Sequence, residues 1–205
     1  MAEKWIEWAA KLQAIAQAGL TYSENAYDLD RYRQLRRLAA EIIGEHTDHD
    51  YSYVERFLEG ETGYATPKVD VRGVVLNEGR ILLVRETVDG KWSLPGGWAD
   101  IYHSPSENAV KEIREESGYT AEPVRLLAIY DADRHDLDRR PSSFYSYKIF
   151  FLCRLTGGKP TTSIETSGAE FFDPTELPPL SQSRVTRKLV LRMIELAETG
   201  ETEFD

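Results

Sequence analysis

The amino-acid sequence predicts an α+β protein whose N-terminal part is entirely helical. Up to residue 60, apolar residues recur at the three- and four-residue steps of amphipathic helices. After Pro67 the chain becomes rich in β-branched residues in short runs, as is typical of strands. Strands and helices then mix without a regular strand–helix–strand rhythm. We therefore expect a helical domain over 1–62, a linker over 63–67 and an α+β domain over 68–205.

The N-terminal part predicts three helices. A first apolar stripe is broken at Gly19 and the polar stretch 21–25, and a second stripe stops at Gly44. A shorter third helix is expected over 51–58. The two stripes consist of Trp5, Trp8, Leu12, Ile15 and Gly19, and of Leu29, Tyr32, Leu35, Leu38 and Ile42.

The rest of the chain predicts a β-rich domain with two further helices. A hairpin is expected at the turn over 77–79, and a short strand from Trp92 leads into the Gly96–Gly97 turn. The expected strands are 69–76, 80–85, 124–130, 146–155 and 169–172, and the expected helices are 104–117 and 185–197.

The predicted helix over 104–117 has well-defined ends. Ser104 can cap it, and Pro105 occupies the first helical position, where the missing N–H costs nothing. Glu107 completes a capping box with Ser104. Gly118 can end the helix in the left-handed conformation.

Between these ends the helix carries Glu112, Glu115 and Glu116. Their spacing places the carboxylates on one helix face, where they repel each other, and Lys111 and Arg114 offset this only in part. A divalent cation would turn the repulsion into binding, and oxygen ligands suit Mg²⁺ or Mn²⁺. The alternative is a solvated acidic face, which is common on helices.

The segment from Gly97 to Tyr119 resembles the signature of the Nudix hydrolase family. It keeps every spacing of that signature, ending in Lys-Glu-Ile-Arg-Glu-Glu-Ser-Gly-Tyr. Two positions depart from it, because His103 replaces the usual glutamate and Lys111 the usual arginine. Both positions are mainly structural in the family, so we expect an effect on the loop rather than on the glutamates. His103 is either a loop-positioning residue or an extra ligand.

The resemblance extends to the N-terminal part and covers essentially the whole chain. Leu-Gln-Ala-Ile-Ala-Gln at 12–17, Tyr-Asp-x-x-Arg-Tyr at 27–32 and Leu-Pro-Gly-Gly-Trp-Ala-Asp at 94–100 are similar to one Nudix subgroup. Its members hydrolyse ADP-ribose or CDP-choline. The resemblance implies a mixed β-sheet sandwiched by helices, a helical domain ahead of it, and a homodimer.

The resemblance also implies the reaction and its ligands. We expect metal-dependent hydrolysis of the pyrophosphate bond of a nucleoside diphosphate linked to a group X, giving a nucleoside monophosphate and X-phosphate. Glu112 and Glu116 are the expected ligands of Mg²⁺ or Mn²⁺. Glu115 has a catalytic role and either shares the ion or lies just behind its direct ligands. A backbone carbonyl of Gly96 or Gly97 completes the expected metal site, since glycine lets the chain approach an ion closely.

Residues outside the signature complete the expected site. Glu165 is the candidate general base, and its alternative is a surface-loop glutamate. Arg72 and Arg85 are candidates for binding phosphate, or else form strand-edge salt bridges. The charged segment 131–140 is expected near the mouth of the site, where His135 either touches substrate or is solvated.

The aromatic residues of the helical part leave two interpretations open. Trp5, Trp8, Tyr22 and Tyr27 could stack a nucleobase. Tryptophans at helical spacing are more often core or dimer contacts, which agrees with a homodimer.

Composition restricts the partners. The net charge of −10 argues against DNA as a partner and against an RNA 5′-pyrophosphohydrolase. We keep the RNA 5′-pyrophosphohydrolase as an alternative. A second alternative is a nucleotide-sensing module that does not cleave. Cys153 is the only cysteine, so no internal disulfide forms, and a reducing cytoplasm is expected. No apolar run is long enough for a membrane span.

Overall fold

The computed structural model describes residues 4–135 and 145–205, which form two compact units. The chain passes from the first unit to the second between Pro67 and Lys68. The first unit comprises α1 (Lys4–Tyr22), α2 (Ala26–Glu45) and α3 (Tyr51–Glu59). The second comprises β1 (Lys68–Asn77), β2 (Arg80–Glu86), β3 (Trp92–Ser93), α4 (Pro105–Ser117), β4 (Tyr119–Asp131), β5 (Ser146–Gly158), β6 (Thr166–Phe172), α5 (Arg187–Thr199) and β7 (Glu203–Phe204).

The helical unit packs through small side chains, and its buried face on α1 differs from the predicted stripe. Trp8 and Ile15 are 58% and 54% exposed in the single chain. The predicted stripe therefore remains partly exposed in the single chain, in which α1 and α2 approach each other closely. Gly19 illustrates the approach, since a Cβ there would overlap the ring of Tyr32. The buried residues of α1 are Ala9, Gln13, Ala16 and Gln17.

The strands form a mixed sheet in the order β3-β2-β1-β5-β4-β7, with β6 paired to β2. The predicted hairpin is confirmed, because β1 and β2 pair antiparallel with Asn77 opposite Arg80. β1 also pairs with β5, and these two strands run parallel. β5 pairs antiparallel with β4 along nearly its whole length.

One helix covers each face of the sheet, as expected. Val74 and Val75 are neighbours on β1 and point to opposite faces, as alternation along a strand requires. Val74 belongs to the cluster that includes Leu189 and Met193 of α5. Val75 belongs to the cluster that includes Ile113 of α4. The sheet is therefore sandwiched between α4 and α5.

The strand boundaries differ from the prediction mainly around β4. This strand begins at Tyr119, before the predicted residue 124, and it includes Pro123. Charged residues, a proline and three register shifts against β5 hide the strand from a pattern search. The short strand β7 was not predicted, and its pairing with β4 covers only Glu203 and Phe204.

Two further observations concern the molecule as a whole. Among the described residues, no helix is both long and apolar enough to cross a membrane. Cys153 is buried in the sheet, and burial raises the pKa of its thiol to about 12.

Candidate active site

Both ends of α4 have the predicted caps. The Ser104 hydroxyl accepts a hydrogen bond from the Glu107 N–H at 3.3 Å, and the Glu107 carboxylate accepts one from the Ser104 N–H at 2.7 Å. At the other end, Gly118 is left-handed with a φ of 76° and donates its N–H to the carbonyl of Arg114 at 2.9 Å. These caps fix where α4 begins and ends, and the three candidate metal-binding glutamates lie in the last two turns between them.

The Gly96–Gly97 turn lies directly against β1. The N–H of Val71 donates to the Gly97 carbonyl at 2.8 Å, and the N–H of Gly73 donates to the Pro95 carbonyl at 2.9 Å. Gly96 has a φ of 143°, and a Cβ at this position would overlap the Val71 carbonyl oxygen. Only glycine is therefore compatible with this close approach.

Glu116 is the most buried of the three helix glutamates, with 5% of its surface exposed. Its carboxylate accepts a hydrogen bond from the Gly96 N–H at 2.8 Å, which joins α4 to the glycine turn. Burial raises the pKa of Glu116 to about 8, and the charges of Glu86 and Glu112 act in the same direction. Arg72 opposes the rise, as does the Gly96 N–H.

Glu112 lies one helical turn earlier and faces the same glycine turn. Its side chain is 14% exposed. Its Oε2 atom is 3.6 Å from the point where a Cβ would stand on Gly97. Burial raises the pKa of Glu112, with the charges of Glu115 and Glu165 adding to the rise and Lys111 lowering it.

Glu115 is more exposed than the other two glutamates and is paired with Lys111. Its side chain is 48% exposed and lies 3.2 Å from the Lys111 ammonium. Lys111 also donates to Asp100 at 2.8 Å, and these two bonds raise the pKa of Lys111. The Lys111 ammonium also lies 3.9 Å from a Glu112 carboxylate oxygen, so it joins Glu112 and Glu115. Glu116 instead accepts its hydrogen bond from the glycine turn.

The donor set suits a hard divalent cation. Two carboxylates and the carbonyls of the glycine turn are all oxygen ligands. Burial penalises the charged forms of Glu112 and Glu116, and a cation would offset that cost. Across 4–135 and 145–205, no three acidic, histidine or cysteine side chains already lie close enough together to enclose an ion. Glu112 and Glu115 are both close to the Lys111 ammonium in this arrangement.

The loop before α4 is held by Asn108 and by Lys111, one of the two residues that depart from the Nudix signature. The buried Asn108 side chain accepts from the Asp100 N–H at 3.0 Å and donates to the Asp100 carbonyl at 3.1 Å. The Lys111–Asp100 ion pair adds a second link. His103 is exposed, with Nδ1 3.3 Å from the Ile101 carbonyl. This position favours the loop-positioning interpretation of His103.

Arg72 lies beneath the glycine turn and is only 4% exposed. It donates two hydrogen bonds to Asp70, at 2.7 and 2.9 Å, and one to the Leu94 carbonyl at 3.0 Å. Although burial raises the pKa of Asp70, the positive charges of Arg72 and Lys148 hold it at about 2. The geometry favours the salt-bridge alternative for Arg72 and a role in supporting the turn.

Arg85 and Glu165 belong to neighbouring segments. Arg85 is exposed and donates from Nε to the Gly90 carbonyl at 2.9 Å. The Thr87 N–H donates to the Glu165 carbonyl at 2.8 Å, and the Glu165 N–H donates to the Ser163 hydroxyl at 3.1 Å. These bonds tie Glu165 to the end of β2, close enough to Glu112 for its charge to act there.

Glu86 is a residue near the site that the sequence interpretation did not single out. It is 4% exposed, accepts from the Ser93 hydroxyl at 2.5 Å, and forms an ion pair with Arg184 at 3.0 Å. Its charge adds to the raised pKa of Glu116. The sequence signal that could have identified Glu86 is a glutamate at the end of a strand whose centre is apolar.

His135 contacts Tyr130 of β4 and the Asp205 carboxylate. Its ring stacks on Tyr130 with centroids 3.9 Å apart, and Nε2 lies 2.8 Å from the Asp205 carboxylate. The remainder of the predicted loop, 136–140, lies outside the described residues.

Two family models match the chain. Residues 66–193 match the NUDIX domain, and residues 3–58 match a UDP-X-like N-terminal oligomerisation domain. The chain belongs to the Nudix hydrolase family. The match to the NUDIX domain includes α4 and the glycine turn, so the geometry described above lies within the family's own domain.

Relatives and solved structures agree with this Nudix assignment. YjhB of Bacillus subtilis, named as a candidate ADP-ribose pyrophosphatase, is 50% identical over 183 residues, covering 89% of this chain and 87% of that protein. The structure of an ADP-ribose pyrophosphatase from Streptococcus suis is 39% identical with a TM-score of 0.61, covering 68% of this chain and 100% of that one. The structure of a UDP-X diphosphatase is 32% identical with a TM-score of 0.63, covering 98% and 97%.

Proposed function

We propose that this Nudix hydrolase cleaves the pyrophosphate bond of a nucleoside diphosphate linked to a second group, with ADP-ribose as the preferred substrate. The observation that carries the proposal is the convergence of Glu112 and Glu116 on the Gly96–Gly97 turn. Relatives named ADP-ribose pyrophosphatases support an adenine nucleotide. The UDP-X diphosphatase adds a uridine nucleotide as a rival, and CDP-choline is the other rival.

The proposed metal site uses the two carboxylates that already face the turn. Glu112, Glu116 and the Gly96 carbonyl would hold Mg²⁺ or Mn²⁺, since the Gly97 carbonyl already accepts a hydrogen bond from Val71. Such an ion neutralises diphosphate charge and makes water a stronger nucleophile. Glu115 becomes available as a further ligand, or to accept a proton, once it leaves Lys111.

The proposed catalytic and substrate-binding residues outside α4 lie along β2 and the segment before β6. Glu165 is the first candidate for the general base, because its backbone is anchored and its charge reaches Glu112. Arg85 is exposed on β2 and can contact a phosphate. Arg72 supports the turn from below through its bonds to Asp70 and the Leu94 carbonyl, and phosphate binding is the alternative role for it.

We also propose a homodimer formed through the helical unit of residues 1–62, with 63–67 as the linker. The match to an N-terminal oligomerisation domain supports it, as do the exposed side chains of Trp8 and Ile15. The proposed location is the cytoplasm.

A substrate panel tests the proposal. Purified protein with Mg²⁺ or Mn²⁺ receives ADP-ribose, a UDP-sugar, CDP-choline and 5′-triphosphorylated RNA, and released nucleotide is measured. We expect kcat/KM to be highest for ADP-ribose and lowest for RNA, because the net charge of −10 repels a long polyanion. An absence of turnover with every substrate would favour the nucleotide-sensing alternative.

A matched pair of variants tests the metal site. Glu116→Gln should lower kcat on the order of a thousandfold while the thermal unfolding remains cooperative. Glu122→Gln is the control, because Glu122 is an exposed glutamate of the same unit and pairs with Arg154 at 2.6 Å. Near-normal activity of Glu116→Gln would refute the assignment.

A further inference from the structure

A cavity in the helical unit lies outside the proposed hydrolytic site and shares no residue with it. Its volume is about 570 Å³, within the usual range of small-molecule sites. The end of α1, the middle of α2, α3 and the segment after α3 surround it. The Gln17 side chain donates to the Thr62 carbonyl at 3.2 Å and so fixes one wall.

The cavity has an excess of positive charge. Arg33, Arg36 and Arg37 line it from α2, because spacings of three and four residues put them on one helix face. Glu55 and Glu59 line it from α3, so three positive charges face two negative ones. The chain as a whole carries a net charge of −10 and repels anions. The local positive excess therefore indicates a site for a specific anionic ligand.

Arg36 supplies the second observation. Its Nε atom is buried and has no hydrogen-bond partner within the described residues. Burial lowers the pKa of Arg36, and only the charge of Glu59 opposes the effect. A buried guanidinium N–H without an acceptor is costly, and an anionic oxygen in the cavity would remove that cost.

We propose that this cavity binds the phosphate group of a small phosphorylated molecule. Guanidinium groups match phosphate oxygens in both geometry and charge, and three of them line this site. The volume exceeds that of one phosphate, so a sugar or nucleoside can occupy the remainder. The site is independent of the proposed hydrolysis.

Calorimetric titration with inorganic phosphate and with adenosine 5′-monophosphate tests the proposal. EDTA is present throughout, so that the acidic hydrolytic site has no cation with which to attract an anion. We expect one saturable site per chain, and at least about tenfold weaker binding in both Arg36→Gln and Arg33→Gln. Arg31→Gln is the matched control, since Arg31 lies on the same helix, is exposed, and pairs with Asp28 at 2.7 Å.

Three outcomes would overturn the proposal. The first is that neither probe binds the unchanged protein. The second is an equal loss of affinity in Arg31→Gln and Arg33→Gln, which would indicate only overall charge. The third is that Arg36→Gln dissociates the oligomer while the unchanged protein binds no phosphate. A second copy of the chain would then supply the anion. If Arg36→Gln does not fold, the exposed Arg33 carries the comparison.

Discussion

At the scale of single residues, burial raises the pKa of both Glu116 and Asp70, but neighbouring charges give the two groups opposite net shifts. Asp70 is paired with two cations and its pKa falls to about 2. Glu116 is buried with other carboxylates nearby, and its pKa rises to about 8 from a reference of 4.5. The folded metal-free protein therefore holds a proton on Glu116 at pH values where the unfolded chain has lost it.

This difference predicts a pH dependence of stability without metal. The stabilising contribution of Glu116 is complete below its unfolded pKa of 4.5 and is lost as the pH rises toward about 8. In EDTA the free energy of unfolding should fall across this window by at most about 5 kcal/mol. Thermal melts at a series of pH values measure the fall. Glu116→Gln should flatten it, and an unchanged slope in that variant would contradict the assignment.

Asp100 predicts a second effect at the residue scale. Asp100→Asn removes the loop carboxylate that shares the Lys111 ammonium with Glu112 and Glu115, so Lys111 should compete more strongly with a metal ion. We expect roughly tenfold weaker Mn²⁺ binding by calorimetry. Lys111→Arg restores the residue usual in the Nudix signature and should keep the affinity. Equal affinities in Asp100→Asn and the unchanged protein would exclude this role.

At the scale of elements, the start of α4 has a measurable stability. Ser104→Ala removes the cap and should lower the free energy of unfolding by about 1 kcal/mol in urea titrations. Glu107→Gln is the companion variant, since glutamine can still accept from the Ser104 N–H. A loss in Glu107→Gln as large as that in Ser104→Ala would mean that charge, and not the capping hydrogen bonds, matters here.

The packing of α4 on β1 depends on Gly73. A Cβ on Gly73 would stand 2.5 Å from the Ile113 Cδ1 atom, so Gly73→Ala must displace the Ile113 side chain and disturb the packing of α4 on the sheet. We expect a loss of about 1–3 kcal/mol in stability and a lower kcat, because Glu116 moves with the helix. Combining it with Ile113→Ala should give less than the summed losses. Strict additivity would argue against the contact.

Local signals made α4 predictable, and tertiary contacts decided the rest. Ser104, Glu107 and Gly118 act within one helix, so spacing alone located them. The direction of Glu115 depends on Lys111, whose other partner, Asp100, lies in the preceding loop. The burial of Glu86, the bond of Arg72 to the Leu94 carbonyl and the bond of Lys148 to Asp70 likewise depend on segments that meet only in the folded sheet.

At the scale of the whole molecule, the exposed face of α1 predicts the assembly. Trp8 is 58% exposed in the single chain, and the proposed homodimer would cover it. Trp8→Glu should convert the dimer to a monomer in sedimentation analysis, because burying an unpaired carboxylate in an interface has a large desolvation free energy. Tyr64→Ser is the control, as Tyr64 is 67% exposed but lies outside the three helices. Dimers that persist in Trp8→Glu would refute this interface.

The position of Cys153 has a practical consequence. The native thiol is buried, and only a very small fraction of it is ionised near neutral pH. Maleimide dyes should therefore not react with it. Cysteines introduced at the exposed positions Ser52 and Lys188 would then be the only reactive ones. A donor and an acceptor fluorophore attached there would report, by energy transfer, the distance between the two units in solution.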